Sequence, residues 1–146
     1  MGTFYSVSCR NKACRYHVEL YDGPGMWRFA WVKKLERKIK LGEKEVPEEI
    51  RTLLNTGKTL DCVANYLCPC CKEWTTRFDV PYVFEAKHVS PYGTIREYEV
   101  HYLYGQPKCE KCGADLVYIL NPRSSKNKSP KCGTDNMRVG QYGYYD

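Results

Sequence analysis

The chain has 146 residues, a formal net charge of +6, 42% hydrophobic residues and 27% charged residues, values that are ordinary for a globular domain. No stretch approaches the roughly 20 consecutive apolar residues that span a bilayer, and the amino-terminal segment lacks an apolar run typical of a signal peptide. These absences exclude a membrane-spanning class, and we expect a cytoplasmic protein without a membrane partner. In a reducing cytoplasm, cysteine pairs are more often metal ligands than disulfides.

Two short strands are expected to flank the first cysteine pair. Residues 3–8 form the first, and residues 15–21 form the second, in which apolar and polar side chains alternate. Cys9 and Cys14 lie in the turn between them. Their C-x4-C spacing is two residues longer than a standard metal-binding turn but within the range of metal-ligand pairs.

Helical periodicity begins near residue 27. Apolar residues recur there at every fourth position, which predicts an amphipathic helix with one buried stripe. The stripe consists of Trp27, Trp31, Leu35 and Ile39. Pro47 opens a second, shorter helix, so that a helical insert is expected over residues 27–56.

The first helix also carries a basic surface, since residues 28–44 hold seven basic and two acidic residues. The candidate partner surface comprises Lys33, Lys34, Arg37, Lys38 and Lys40. Such a surface can face the phosphates of a nucleic acid, can contact a protein, or can be an ordinary solvated helix face.

The pattern changes to strands after residue 60. Alternating apolar residues predict strands over 60–66, 74–84, 98–104 and 115–120, and residues 121–133 are expected to form a loop. Cys62 alternates with Leu60 and Ala64, which predicts a small core side chain rather than a ligand.

Two C-x-x-C turns give the strongest chemical signal. "CEKCG" begins at Cys109, and its glycine permits the left-handed backbone that brings Cys112 to the same ion. "CPCC" has the same spacing between Cys68 and Cys71, which leaves Cys70 as a spare thiol. A third stretch, "SPKCG", resembles such a turn with serine in place of its first cysteine.

The pairing of these turns stays open at this stage. The favoured arrangement joins Cys9 and Cys14 with Cys68 and Cys71, and builds a second, degenerate site from three cysteines and a missing fourth ligand. That second site holds Cys109, Cys112 and Cys132, with His88, His101 or water as candidates for the fourth position. The alternative joins Cys68 and Cys71 with Cys109 and Cys112 and leaves the other three cysteines spare. Two bound zinc ions would support the first arrangement, and one would support the second.

The chain resembles small bacterial zinc-ribbon proteins of unassigned function. The resemblance rests on four stretches and the helical region between the first two: "SCRNKACRYHVELYDGPG", "YLCPCCKEW", "CEKCGADL" and "SPKCGTDNM". It implies a zinc-ribbon or rubredoxin-like fold and no particular reaction. The long first turn and Ser129 depart from the pattern.

Together these observations predict a single α+β domain over residues 1–146, with antiparallel zinc-ribbon hairpins and helices inserted after the first hairpin. We expect the first metal site within 1–84 and the second hairpin and site within 94–146. Zinc binding without enzymatic activity is the favoured function, in an interaction module for nucleic acid or protein rather than for a small-molecule substrate. Seven thiolates with two Zn²⁺ would lower the net charge to about +3. The alternatives are a zinc- or thiol-dependent enzyme and an iron-binding redox protein.

Overall fold

A computed structural model describes residues 2–135 and 137–145, which form an α+β fold of two helices and three small antiparallel sheets. The helices are α1 (Gly25–Lys40) and α2 (Glu48–Asn55). The strands are β1 (Gly2–Cys9), β2 (His17–Asp22), β3 (Leu60–Asp61), β4 (Ala64–Cys68), β5 (Glu73–Arg77), β6 (Tyr82–Val89), β7 (Ile95–Tyr102), β8 (Val117–Tyr118) and β9 (Met137–Tyr145). Within these ranges, no helix is long and apolar enough to cross a membrane.

Two of the three sheets are built in the same way. In the outer unit, the β1–β2 hairpin is joined along β1 by β9, which comes from the far end of the chain. In the inner unit, the β4–β5 hairpin is joined along β4 by β8. The inner unit is therefore nested in the sequence between the two parts of the outer unit. The predicted division into a first site within 1–84 and a second within 94–146 does not describe this arrangement.

The third sheet and the two helices form a separate apolar cluster. Strands β3, β6 and β7 lie side by side, and α1 and α2 pack against this region through Val32, Ile39, Ile50 and Leu54. Cys62 is fully buried in this cluster, which confirms its predicted role as a small core side chain.

The buried face of α1 differs from the predicted stripe. Leu35 and Ile39 are buried as expected, but Trp27 is 84% exposed and Trp31 is 44% exposed. An α-helix turns by about 100° per residue, so a step of four residues drifts by about 40° and places Trp27 about 120° from Ile39. The face that packs on the core instead includes Val32 and Glu36.

Strand prediction failed where the chain changes sheets. The predicted strand over 60–66 is two strands, β3 and β4, in different sheets, and Pro81 separates β5 from β6 in the predicted strand over 74–84. Strand β9 was not predicted. The glycines of β9 lower its predicted strand propensity. They are nevertheless required by the structure, because Gly143 lies where the Phe4 ring leaves no room for a side chain.

Hydrogen bonds and an apolar cluster join the outer unit to the inner unit. Trp74 of β5 packs with Tyr5 and Leu20 of the outer sheet, and its backbone N–H donates to the Tyr16 hydroxyl at 2.7 Å. Asn65 of β4 is only 4% exposed, and its side-chain amide donates to the carbonyl of Tyr21 at 3.2 Å. The two units are thus packed directly on one another.

Candidate metal centres

The inner unit holds a cluster of four cysteines, called here the inner site: Cys68, Cys71, Cys109 and Cys112. Their sulfur atoms lie within 4.8 Å of one another. The Sγ atoms of Cys68 and Cys112 are 3.5 Å apart, and those of Cys71 and Cys109 are 3.9 Å apart. Each turn contributes two thiols, and none of the four is in a disulfide.

Local backbone geometry explains why each C-x-x-C turn presents two thiols. The Cys71 N–H donates to the Cys68 Sγ at 3.3 Å, and the Lys72 N–H closes the turn on the Cys68 carbonyl at 2.9 Å. Lys72 has a left-handed backbone with φ of 55°, which costs a residue other than glycine about 1–2 kcal/mol. In the other turn Gly113 adopts this conformation with φ of 77°, as its sequence predicted.

A second cluster, called here the outer site, lies at the tip of the outer unit: Cys9, Cys14 and Cys132. The Sγ atoms of Cys9 and Cys132 are 3.5 Å apart, although 123 residues separate them in sequence. Cys9 pairs with Met137, the first residue of β9, and this pairing brings the nearby Cys132 to the site.

Ser129 lies beside the three thiols of the outer site. Its side chain is buried, and its hydroxyl oxygen is 3.6 Å from the Cys14 Sγ. The hydroxyl thus points toward the thiols and not into solvent. The hydroxyl of Thr134 also lies beside these thiols, 2.6 Å from the Cys132 Sγ and 3.7 Å from the Cys9 Sγ. The outer site therefore presents three thiols with two hydroxyls beside them.

Hydrogen bonds and the proximity of other thiols shift the pKa values of individual cysteines. The hydroxyl and backbone N–H of Thr134 lower the pKa of the Cys132 thiol to about 6. Backbone N–H groups of Cys112 and Lys111 lower the pKa of Cys109 to about 7. Hydrogen bonds with neighbouring thiols, that of Cys112 first, raise the pKa of Cys71 to about 12. Both sites thus contain a thiol that is readily ionised, as thiolate binding of a metal requires.

The structure brings together all seven cysteines predicted as ligands, but not in the favoured pairing. Cys68 and Cys71 meet Cys109 and Cys112, as the alternative pairing had it, and do not meet Cys9 and Cys14. The remaining three cysteines are not spare, contrary to that alternative, because they form the outer site. Cys70 is exposed and lies outside both clusters.

The predicted histidine ligands lie elsewhere. His101 is on β7, where its Nε2 is 2.9 Å from the Glu85 Oε1 on β6. His88 is exposed on β6. The hydroxyls of Ser129 and Thr134 lie beside the outer site instead, and neither was among the predicted candidates for the fourth ligand.

Basic residues surround the outer site, a feature that sequence reasoning missed. A cleft of about 500 Å³ opens beside Cys9 and is lined by Arg10, Lys12, Arg15 and Arg138. Among the residues that the structure describes, none with an acidic side chain lines this cleft. The signal was available in the sequence, since three of these basic residues lie within or beside the Cys9–Cys14 turn.

The basic residues predicted on α1 lie around its outward face. Lys34, Arg37, Lys38 and Lys40 are exposed, and Lys33 is partly exposed. Lys34 and Lys38 line a shallow depression with Trp31. The acidic side chain of this helix, Glu36, is buried and forms ion pairs with Lys33 at 3.5 Å and Lys40 at 3.3 Å.

The donor set of the inner site fits a soft or borderline metal ion. Four thiols converging from two turns are the ligands of tetrahedral zinc or iron sites, and the outer site offers three such ligands. Both clusters could therefore hold a metal ion. Comparisons with protein-family models, with curated proteins and with solved structures found no match.

Proposed function

We propose that the protein binds zinc at both cysteine sites, that the ions are structural, and that the domain is a non-enzymatic interaction module of the zinc-ribbon type. The observation that carries this proposal is the inner site. Four thiols surround its centre, so a tetrahedral ion bound there has no open position for water or substrate. Structural zinc binding contributes roughly 10–16 kcal/mol to the folding of small zinc domains.

The architecture supports a structural role because each site joins segments that are distant in sequence. The inner site ties the β4–β5 hairpin to the segment before β8, a strand of only two residues. So short a strand pairing contributes little by itself. A metal ion at the inner site would therefore add to the apolar packing of Leu116 and Tyr118 on Tyr66 in attaching this segment to the hairpin.

The test is metal analysis of the purified protein, combined with unfolding. We expect up to two zinc ions per chain by elemental mass spectrometry, and a large loss of structure by circular dichroism when a strong chelator removes them. Replacing Cys112 with serine should remove one ion, whereas Cys70→Ser is the matched control. A protein that folds fully without bound metal would contradict the structural role.

We further propose that α1 is the surface through which the module engages a nucleic acid. The support is its combination of charge and aromatic exposure. Lys34 and Lys38 have no acidic neighbour on the exposed face of the helix, and Trp27 and Trp31 stand beside them in solvent. In a single-stranded nucleic acid, the phosphates can pair with the lysines and the bases can stack on the tryptophans.

Binding can be measured by fluorescence anisotropy with labelled single-stranded oligonucleotides. Affinity should fall steeply with salt, because phosphate contacts release counterions. Trp27→Ala should weaken binding by about 5-fold or more, since stacking on one aromatic side chain is worth about 1–3 kcal/mol. Lys34→Glu should weaken it too, whereas Lys58→Glu, the same charge change on an exposed loop after α2, should not.

Other outcomes of these experiments would redirect the proposal. Absence of binding at low salt would reject a nucleic-acid partner and leave a protein as the partner of α1. Iron with visible absorption in the preparation would replace zinc and favour a rubredoxin-like redox protein. Turnover lost specifically in Cys70→Ser would identify a thiol-dependent enzyme.

A further inference from the structure

The turn that contains Ser129 is a structural copy of the turn that contains Cys109. The Cys109 N–H donates to the Ala114 carbonyl at 2.8 Å, and the Ser129 N–H donates to the Thr134 carbonyl at 2.9 Å. The turns close in the same way. The Gly113 N–H donates to the Cys109 carbonyl at 2.9 Å, and the Gly133 N–H donates to the Ser129 carbonyl at 2.8 Å. Ser129 therefore lies where the first ligand of a metal-binding turn belongs.

The Ser129 hydroxyl also occupies the place of a ligand atom. Its oxygen accepts from the backbone N–H groups of Lys131 at 3.4 Å and Cys132 at 3.5 Å. The Cys68 Sγ accepts from the Cys71 N–H in the same manner. The side chain is 2% exposed, so it is held toward the outer site rather than free to rotate into water.

From this equivalence, and resting on the proposed zinc binding, we propose that the outer site is a weaker, exchangeable zinc site with Ser129 in the position of the fourth ligand. The inner site, with four thiols, holds its ion tightly. The occupancy of the outer site then follows the zinc concentration over a range in which the inner site stays filled.

The chemistry of the two donor sets gives the reason for the difference. A site of four thiolates and Zn²⁺ has a net charge of −2, whereas a site of three thiolates, a neutral hydroxyl and Zn²⁺ has a net charge of −1. Sulfur ligands suit zinc, and a serine hydroxyl is a far weaker donor because it stays protonated. Even residues that only support a metal ligand affect affinity by about 10–100-fold, so exchanging a ligand itself should cost at least tenfold.

The experiment is a competition between the full-length protein and a chromogenic zinc chelator, with zinc content followed by elemental mass spectrometry. Wild type should release one ion readily and a second only at a chelator concentration at least tenfold higher. Ser129→Cys should remove the readily released fraction, because both sites then hold four thiols. Ser129→Ala is the matched control, and it should leave the outer ion as labile as in wild type or more so.

Two variants assign the released ions to their sites. Cys14→Ser should abolish the readily released ion and leave the tightly held one, and Cys112→Ser should do the reverse. Equal release of both wild-type ions, or no tightening in Ser129→Cys, would reject the exchangeable site while leaving zinc binding intact. If Ser129→Cys gains a second ion that wild type lacks after purification, the weak outer site is supported. Absence of zinc from every variant would instead reject the proposed function.

Discussion

Asn65 provides the sharpest test of how the two units hold together. Its buried amide donates to the Tyr21 carbonyl and to the Asp22 Oδ1, each at 3.2 Å, and its carbonyl accepts from the Thr76 hydroxyl. Asn65→Ala removes all three bonds and leaves their partners partly buried. Each such bond is worth about 0.5–1.5 kcal/mol, and unpaired groups add to the cost, so we expect a loss of about 2–4 kcal/mol.

The assay is equilibrium unfolding in urea at a fixed, saturating zinc concentration, since bound metal itself contributes to the free energy of unfolding. Asn55→Ala is the matched control because Asn55 is exposed at the end of α2, and it should change stability by no more than about 0.5 kcal/mol. A loss below about 1 kcal/mol for Asn65→Ala, with an unchanged urea dependence, would refute the idea that this network joins the units.

Three further outcomes follow from the same structure. Cys70→Ser should keep the wild-type zinc content whereas Cys68→Ser should lose one ion, and elemental analysis that shows equal losses would contradict the ligand assignment. In the zinc-loaded protein at pH 8, alkylation followed by mass spectrometry should modify Cys70 and spare Cys62, because burial raises the pKa of Cys62 to about 12 and keeps it protonated; early modification of Cys62 would mean that its cluster opens. In equilibrium unfolding, Glu36→Ala should lower the free energy of unfolding by about 1–3 kcal/mol more than Glu43→Ala on the exposed loop. The reason is that the buried Glu36 carboxylate accepts a hydrogen bond from the backbone N–H of Leu60, the first residue of β3, at 3.3 Å.

The sequence was informative wherever the signal was local. A C-x-x-C turn defines its own geometry through hydrogen bonds within five residues, so the seven cysteines of the two clusters could be singled out without knowing the fold. Both helices could be predicted too, since the spacing of apolar residues, Pro47 and Gly42 act over one or two turns. Gly42 follows the end of α1 with φ of 77°, the left-handed conformation that glycine commonly adopts after a helix.

Prediction failed where the answer depends on which strands pair. The partner of each cysteine turn is decided by the pairing of β8 with β4 and of β9 with β1. A strand over 115–120 was predicted but its partner was not, and β9 was not predicted. Strand β8 has two residues, and β9 contains Gly140 and Gly143, which lower strand propensity. Those glycines are needed because Phe4 and Ser6 of β1 come too close for a side chain. Without β9, nothing in the sequence places Cys132 beside Cys9.

The same two strands explain why the sites can differ in strength. Strand β9 pairs with β1 over most of its nine residues, so hydrogen bonds contribute more to closing the outer unit than the inner unit, and closure there depends less on an ion. Strand β8 pairs with β4 over only two residues, and Leu116 and Tyr118 attach the segment further by packing on Tyr66, so an ion bound at the inner site would contribute relatively more to closure there. We therefore expect a serine to be tolerated better at the outer site than at the inner site. Hydrogen exchange should therefore show β1 and β9 protected after mild chelation, and β4 exposed only after the inner ion is removed. Loss of protection in β1 before any inner zinc is released would show that the outer ion, and not strand pairing, closes the outer unit.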